Sequence, residues 1–151
     1  MFKKLIGSTL NKIFFSSDYL ILETDKGTFT YTVYGDCCSR SVFYDFIGVK
    51  KILNKKIVEV KRVLDVGDDN NIEDENDYNL KKHPYSSNDS IKVYGYRITV
   101  EDKEFEELSA VFSFRNYSNG YYGGEMEEFH GSILEIKDSV PEIKDDVLET
   151  I

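Results

Sequence analysis

Two short polar motifs contain most of the side chains that could bind a ligand or carry out chemistry. The first is GDCCS at residues 35–39, and the second is RNYSNGYY at residues 115–122. Together they offer a carboxylate, thiols, hydroxyls, amides, a guanidinium and phenol rings, which are the groups that bind anions and aromatic ligands. The candidate binding residues are therefore Asp36, Cys37, Cys38, Ser39, Arg115, Asn116, Ser118, Asn119, Tyr121 and Tyr122.

The adjacent cysteines Cys37 and Cys38 could act as a nucleophile, as metal ligands or as a redox pair. A thiolate nucleophile needs a base, and His130 is the histidine that could supply one. A zinc site that combines Asp36 and His130 with both thiols would require neighbouring side chains to turn the same way, which an extended chain opposes. We therefore predict no metal site. We expect one cysteine to be buried as a small apolar residue and the other to cover the start of a helix.

Asp36 and Arg115 each have two interpretations. Asp36 could be a general base, but its place after a strand favours an Asx turn in which its carboxylate accepts backbone N–H groups. Arg115 could bind a carboxylate or phosphate of a ligand, but an internal pair with Asp36 is the favoured prediction.

The glycines of residues 118–124 could surround an anion, yet this loop lacks lysine and matches no phosphate-binding signature, which favours a tight hairpin.

Composition indicates a single acidic domain over residues 1–151. The formal net charge of −9 disfavours direct binding to DNA or RNA, and no apolar run approaches the roughly 20 residues of a membrane-spanning helix. The apolar start at residues 1–7 is interrupted too early for a signal peptide, and neighbouring cysteines cannot crosslink distant segments. These features predict a cytoplasmic protein with no membrane association.

Alternating apolar and polar residues predict a mainly antiparallel β-sheet. Residues 19–24 and 28–34 flank a turn at Asp25-Lys26-Gly27, and residues 91–100 and 110–115 form a second hairpin. A last strand is expected over residues 125–130.

Other segments predict helices or irregular chain. The spacing of Phe43, Phe46 and Ile47 predicts a short helix over residues 41–47. Residues 65–90 are expected to form a flexible acidic insert, because residues 65–77 carry seven acids and no base. Residues 138–151 form an acidic tail in which Ile143, Val147 and Leu148 have helical spacing and could dock as a last short helix.

The two halves of the chain resemble each other. Residues 5–15 and 52–63 each place an apolar strand after a Gly or Asn turn, each precedes a hairpin, and each hairpin ends in one of the two polar motifs. This pattern indicates a divergent internal duplication and predicts that the two motifs meet. The expected fold is an α+β domain of mainly antiparallel sheet, built from two duplicated hairpin units with one or two short helices.

The combination of GDCCS, SVFYDFIGV and FRNYSNGYYGG resembles an uncharacterised domain family of phage and bacterial proteins, and the resemblance covers nearly the whole chain. It implies a phage or mobile-element context, with the host cytoplasm as the place of action, and it implies no particular reaction.

Three roles follow from these observations. The favoured role is a non-enzymatic binding protein that acts on a host component, with a protein or small-molecule partner and no cofactor. The second is a small-molecule or nucleotide binder with a pocket between the two motifs. The third is a cysteine-dependent enzyme with Cys37 or Cys38 as nucleophile and His130 as base.

Overall fold

The structure is a computed structural model in which residues 1–66, 90–118 and 122–150 are described. Most of the predicted acidic insert at 65–90 lies outside these residues, as do Asn119 and Tyr121 of the candidate site. No helix in these three ranges is long and apolar enough to span a bilayer.

Antiparallel strands make up most of the described chain, as predicted. The strands are β1 (Thr9–Phe15), β2 (Tyr19–Thr24), β3 (Gly27–Gly35), β4 (Arg40–Ile47), β5 (Lys55–Val66), β6 (Ser90–Asp102), β7 (Glu106–Ser118), β8 (Gly124–Glu128) and β9 (Glu142–Ile143). The helices are α1 (Val49–Ile52) and α2 (Ile133–Ile136), and 3₁₀ turns cover Lys3–Leu5 and Lys137–Ser139. The α+β class with two short helices is therefore confirmed.

Both predicted hairpins are present. Strands β2 and β3 pair from Tyr19 with Thr32 to Thr24 with Gly27, and β6 and β7 pair over their whole lengths. In β3, threonines alternate with Phe29 and Tyr31, and in β7 Ser113 lies between Phe112 and Phe114. This alternation lets one face of a strand pack against a core.

The strand order is the same when it is read from either half of the chain. Neighbouring strands follow the order β4-β7-β6-β5-β1-β2-β3-β8, with β9 added beside β1. If each strand of the first half exchanges labels with its counterpart in the second half, so that β1 becomes β5 and β4 becomes β8, the same order results, read from the other end. In each half three strands form a meander and the fourth crosses to pair with the third strand of the other half. Two repeated units of four strands would produce this pseudo-symmetry, and the duplication itself stays a prediction.

Backbone geometry repeats at the centre of this arrangement. Gly7 and Asn54 occupy equivalent turns before β1 and β5, and both have positive φ, 86° and 63°. The Gly7 N–H donates to Ile57 O at 2.7 Å, and the Asn54 N–H donates to Leu10 O at the same distance. The Gly or Asn turn in the sequence therefore marks equivalent left-handed positions, where Gly and Asn are the best tolerated residues.

Residues 41–47 form strand β4, so the predicted helix is wrong. Phe43 pairs with Phe114 and Phe46 pairs with Phe112, so two residues of β4 lie opposite Ser113 alone. This bulge places residues three apart on the same face of the sheet. The three-residue spacing of Phe43 and Phe46, which resembles helical periodicity, therefore arises from an irregular strand.

The tail also forms extended structure in place of the expected last helix. Residues Glu142–Ile143 pair with β1, and Val147 exchanges two backbone hydrogen bonds with Phe46 at 2.8 and 2.9 Å. Asp146 then accepts the N–H groups of Gly48 and Val49 at the start of α1, at 2.8 and 3.1 Å. The tail therefore covers backbone groups along β4 that an edge strand would otherwise expose.

The two halves enclose one main hydrophobic core. Phe15 of the first meander lies 5.5 Å, between ring centroids, from both Phe43 and Phe46 of β4. Phe46 in turn stacks on Phe112 of the second meander at 5.5 Å. Burial of these rings on both sides of the core joins the halves through the hydrophobic effect.

Candidate functional site

The two polar motifs meet where β3 crosses to β4 and β7 crosses to β8. The Asp36 N–H donates to Gly123 O at 3.0 Å, which joins the two crossing segments. Asn116 Nδ2 donates to Ser39 Oγ and to Ser41 Oγ, both at 3.0 Å. The structure thus brings together the segments that the internal repeat predicted would meet, and we call this region the crossover.

Glycine allows the crossing strands to approach closely. Gly35 and Gly124 are paired residues of β3 and β8. A Cβ atom on Gly35 would lie 2.8 Å from the backbone carbon and oxygen of Ser39, and one on Gly124 would overlap with Ser41 Oγ. Contacts of this length are too short for a methyl group, so the crossover excludes side chains at both positions.

The polar side chains of the crossover form a buried layer and an exposed rim. Asn116, Ser41 and Ser118 are buried, and Ser118 Oγ donates to Tyr122 O at 3.3 Å. The side chains of Asp36, Cys37 and Cys38 are exposed, whereas Ser39 and Tyr122 are half-buried. The space between the motifs is therefore occupied by their own hydrogen-bonded side chains, and Asn116 and Ser118 hold the segments in place.

The cysteines occupy the two central positions of a tight turn. The Ser39 N–H donates to Asp36 O at 3.0 Å, and Ser39 Oγ donates to the same oxygen at 2.7 Å. Both thiols are exposed, so the expectation of one buried cysteine beside a helix is wrong. The acceptor at Asp36 is its backbone carbonyl and not its carboxylate, so the predicted Asx turn is wrong as well.

Arg115 lies on the opposite face of the sheet from the crossover. It is buried, and its guanidinium carbon lies 3.8 Å from the centroid of the Tyr44 ring. The predicted pair with Asp36 is wrong because successive residues of a strand point to opposite faces, so Arg115 and Asn116 cannot both face the crossover. Arg115 instead belongs to a second buried group of polar residues.

Asp45 is the centre of that second group, and it was not among the predicted site residues. Its side chain is buried within the bulge of β4, where Ser113 Oγ donates to Oδ1 at 2.5 Å. Burial raises the pKa of Asp45 to about 7, while the hydrogen bond from Ser113 and the charge of Arg115 act in the opposite direction. A single acid within the apolar run VFYDFI was the signal in the sequence.

His130 is remote from the cysteines. Its ring is exposed and lies 3.6 Å from Glu128, at the far end of β8 from the crossover. The two ends of β8 are about 13 Å apart at the usual rise per residue. His130 therefore does not reach the thiols as a base would. Across the described residues, no three His, Cys, Asp or Glu side chains converge as metal ligands would.

A cleft of about 360 Å³ lies beside β4. Arg40, Tyr44 and Tyr117 line it together with Thr150 of the tail. It places the exposed Arg40 beside the half-buried Tyr117 and the buried Tyr44, and Arg40 and Tyr117 lie next to or within the two polar motifs.

Comparison with known proteins gives no match, since no protein-family model matches the chain and no curated protein or solved structure is significantly similar to it. The contacts described above are therefore what supports a functional assignment.

Proposed function

We propose that this chain is a non-enzymatic binding protein that recognises a partner protein through the exposed rim of the crossover. The rim comprises the exposed side chains of Asp36, Cys37 and Cys38, together with the neighbouring exposed side chains of Tyr34 and Glu125. The observation that carries the proposal is the pair of hydrogen bonds from Asn116 to Ser39 and Ser41, because they hold segments from both halves of the chain side by side.

A pre-organised rim favours tight binding. Segments that are already tied together lose little conformational entropy when they bind, so more of the interaction energy appears as affinity. The Tyr34 hydroxyl is also held in place, since it donates to Glu125 Oε2 at 2.6 Å. The distance between His130 and the thiols argues against the cysteine-dependent enzyme.

The chemistry of the rim indicates a basic partner surface. Asp36 and Glu125 are exposed carboxylates, and Tyr34 adds a partly exposed aromatic ring of the kind that is enriched in protein interfaces. The formal net charge of −9 would add long-range attraction to a positively charged protein. The phage or mobile-element context that the motifs imply leads us to propose a bacterial host protein as the partner and the host cytoplasm as the place of action.

Charge reversal on the rim is expected to abolish partner capture. Tagged wild-type protein would be used to capture proteins from a bacterial lysate, in parallel with Asp36→Lys and with the control Glu104→Lys. Glu104 is exposed in the turn between β6 and β7, at the opposite end of β7 from Asn116. We expect a protein whose recovery falls about tenfold or more with Asp36→Lys, as loss of one good ionic contact would produce, and is unchanged with Glu104→Lys.

Two results would contradict this proposal. One is that the recovery of every captured protein is the same with Asp36→Lys as with the wild type. The other is that Glu104→Lys lowers recovery as much as Asp36→Lys does, which would indicate non-specific attraction to negative charge.

A second candidate function is the binding of a small anionic aromatic ligand, such as a nucleotide, in the cleft beside β4. The specific observation is the convergence of Arg40, Tyr44 and Tyr117 on a volume of about 360 Å³, which is within the range of small-molecule sites.

Adenosine and guanosine monophosphates are expected to raise the Tm of the wild type by a few degrees and to leave the Tm of Arg40→Ala unchanged. The control Lys12→Ala replaces a lysine away from the cleft and should show the same Tm shift as the wild type. An equal shift in Arg40→Ala, or no shift in the wild type, would exclude this function.

A further inference from the structure

We propose that Cys37 and Cys38 form a reversible redox site, in which a low-molecular-weight disulfide oxidises the two thiols to a disulfide between neighbouring residues. This inference concerns the thiols alone and holds whether or not the rim binds a partner protein.

The position of the sulfur atoms is the first observation. The two Sγ atoms are in direct contact, 2.8 Å apart, and one thiol donates a hydrogen bond to the other. A disulfide bond is about 2.05 Å long, so closing it requires the sulfur atoms to approach by less than about 1 Å. The reduced turn therefore already holds the thiols near the bonded geometry.

The turn that carries the thiols is fixed on both sides. The hydrogen bonds from the Asp36 N–H to Gly123 O and from the Ser39 N–H to Asp36 O are both 3.0 Å long. Cys37 has a φ of 40°, a conformation that L-residues rarely adopt and that the fixed turn imposes. In an unconstrained chain, neighbouring cysteines would sample many arrangements, so the fold favours closure of the ring.

Reversibility follows from the separation of neighbouring Cα atoms. They are about 3.8 Å apart across a trans peptide, whereas the Cα atoms of ordinary disulfides are about 4.4 to 6.8 Å apart. A disulfide between neighbours is therefore strained, and strained exposed disulfides are the ones that thiols reduce readily. Both cysteines are exposed, so oxidant and reductant can reach them.

The reaction is two successive thiol–disulfide exchanges. The hydrogen bond with Cys37, followed by the charge of Cys37, raises the pKa of the Cys38 thiol, so we assign the second of the two exchanges to Cys38. Cys37 Sγ bonds to one sulfur of the small disulfide and releases the other as a thiolate. Cys38 Sγ then attacks Cys37 Sγ and releases the second thiolate. The two cysteines lose two electrons and two protons, and the small disulfide is reduced to two thiols.

The products of oxidation by oxidised glutathione test the proposal, because the chain has only two cysteines. The reduced full-length protein would be treated at pH 8, quenched with acid and analysed by intact mass and thiol titration. We expect the folded wild type to lose both thiols without gaining glutathione, with at least about a tenfold excess of the internal disulfide over the mixed disulfide. Added dithiothreitol should restore both thiols.

Two controls separate the contribution of the turn from that of the thiols. Cys37→Ser and Cys38→Ser each lack the second thiol, so each should retain one bound glutathione. The wild type in urea has lost the turn, so glutathione adducts should predominate there. The proposal is overturned if the folded wild type accumulates glutathione adducts or disulfide-linked dimers, if it does not react, or if folded and urea-treated protein give the same products.

Discussion

Replacing Asp45 with Asn is expected to remove a large pH-dependent component of stability between about pH 4 and pH 7. Asp45 is buried, and Ser113 donates the hydrogen bond to its Oδ1 atom. Its Oδ2 atom is also buried and accepts no hydrogen bond from the described part of the chain. A carboxylate in this position has few groups to replace the water that it loses on folding, so burial favours the neutral acid.

The direction of the effect follows from the raised pKa. The pKa of Asp45 rises from an ordinary value of 3.8 to about 7 in the folded protein. Between these values the folded state keeps a proton that the unfolded state releases, so the contribution to stability is complete below about pH 4 and is lost as the pH rises through 7. One pKa unit corresponds to about 1.4 kcal/mol, so the loss amounts to about 4 kcal/mol.

Urea denaturation at a series of pH values measures this difference. The free energy of unfolding of the wild type should fall relative to that of Asp45→Asn as the pH increases from 4 to 8. The control is Asp138→Asn, which replaces an exposed carboxylate and should follow the wild-type profile. Parallel profiles for the wild type and Asp45→Asn would show that burial does not perturb this acid.

A single methyl group at the crossover is expected to destabilise the protein by about 1 to 3 kcal/mol, the range for overpacking a tightly packed site. In Gly124→Ala, the new Cβ overlaps with Ser41 Oγ, and displacing that hydroxyl breaks its hydrogen bonds with Asn116 and with Tyr34 O. In Gly35→Ala, the new Cβ meets the backbone of Ser39, which cannot rotate away.

Gly124→Ala meets a side chain and Gly35→Ala meets backbone atoms, so the two variants should respond differently to a second substitution at Ser41. Ser41→Gly removes the atom that Gly124→Ala overlaps, so the double variant should be more stable than the sum of the single effects predicts. The same Ser41→Gly change should not relieve Gly35→Ala, which serves as the matched control. Free energies of unfolding in urea measure both pairs, and strict additivity in the Gly124→Ala pair would contradict the packing of the crossover described above.

The sequence predicted the elements whose signals are local. Both hairpins follow from runs of strand-forming residues next to good turn residues, with alternation of aromatic and polar residues in β3 and β7. The meeting of the motifs follows from a pattern that occurs twice, in which an apolar strand after a Gly or Asn turn is followed by a hairpin and a polar motif. These features depend on a few neighbouring residues, and the fold retains them.

The incorrect predictions arise where pairing across the sheet decides the outcome. The bulge in β4 gives Phe43 and Phe46 a helix-like spacing, and the register of β4 against β7 is what places both of them in the core. The side chain of Arg115 faces away from Asp36 because of strand alternation combined with that register. Neither feature can be read from one segment alone, since both depend on a partner strand that is about 70 residues distant along the chain.

The exchange of β4 and β8 between the halves has a consequence for how such a fold can originate. A single unit of four strands could not complete its own sheet, because its fourth strand pairs outside the unit. It would have to associate with a second copy as a symmetric homodimer, and its folding would then depend on protein concentration. Fusion of two units in one polypeptide replaces that dependence with a constant effective concentration, after which the two copies are free to diverge.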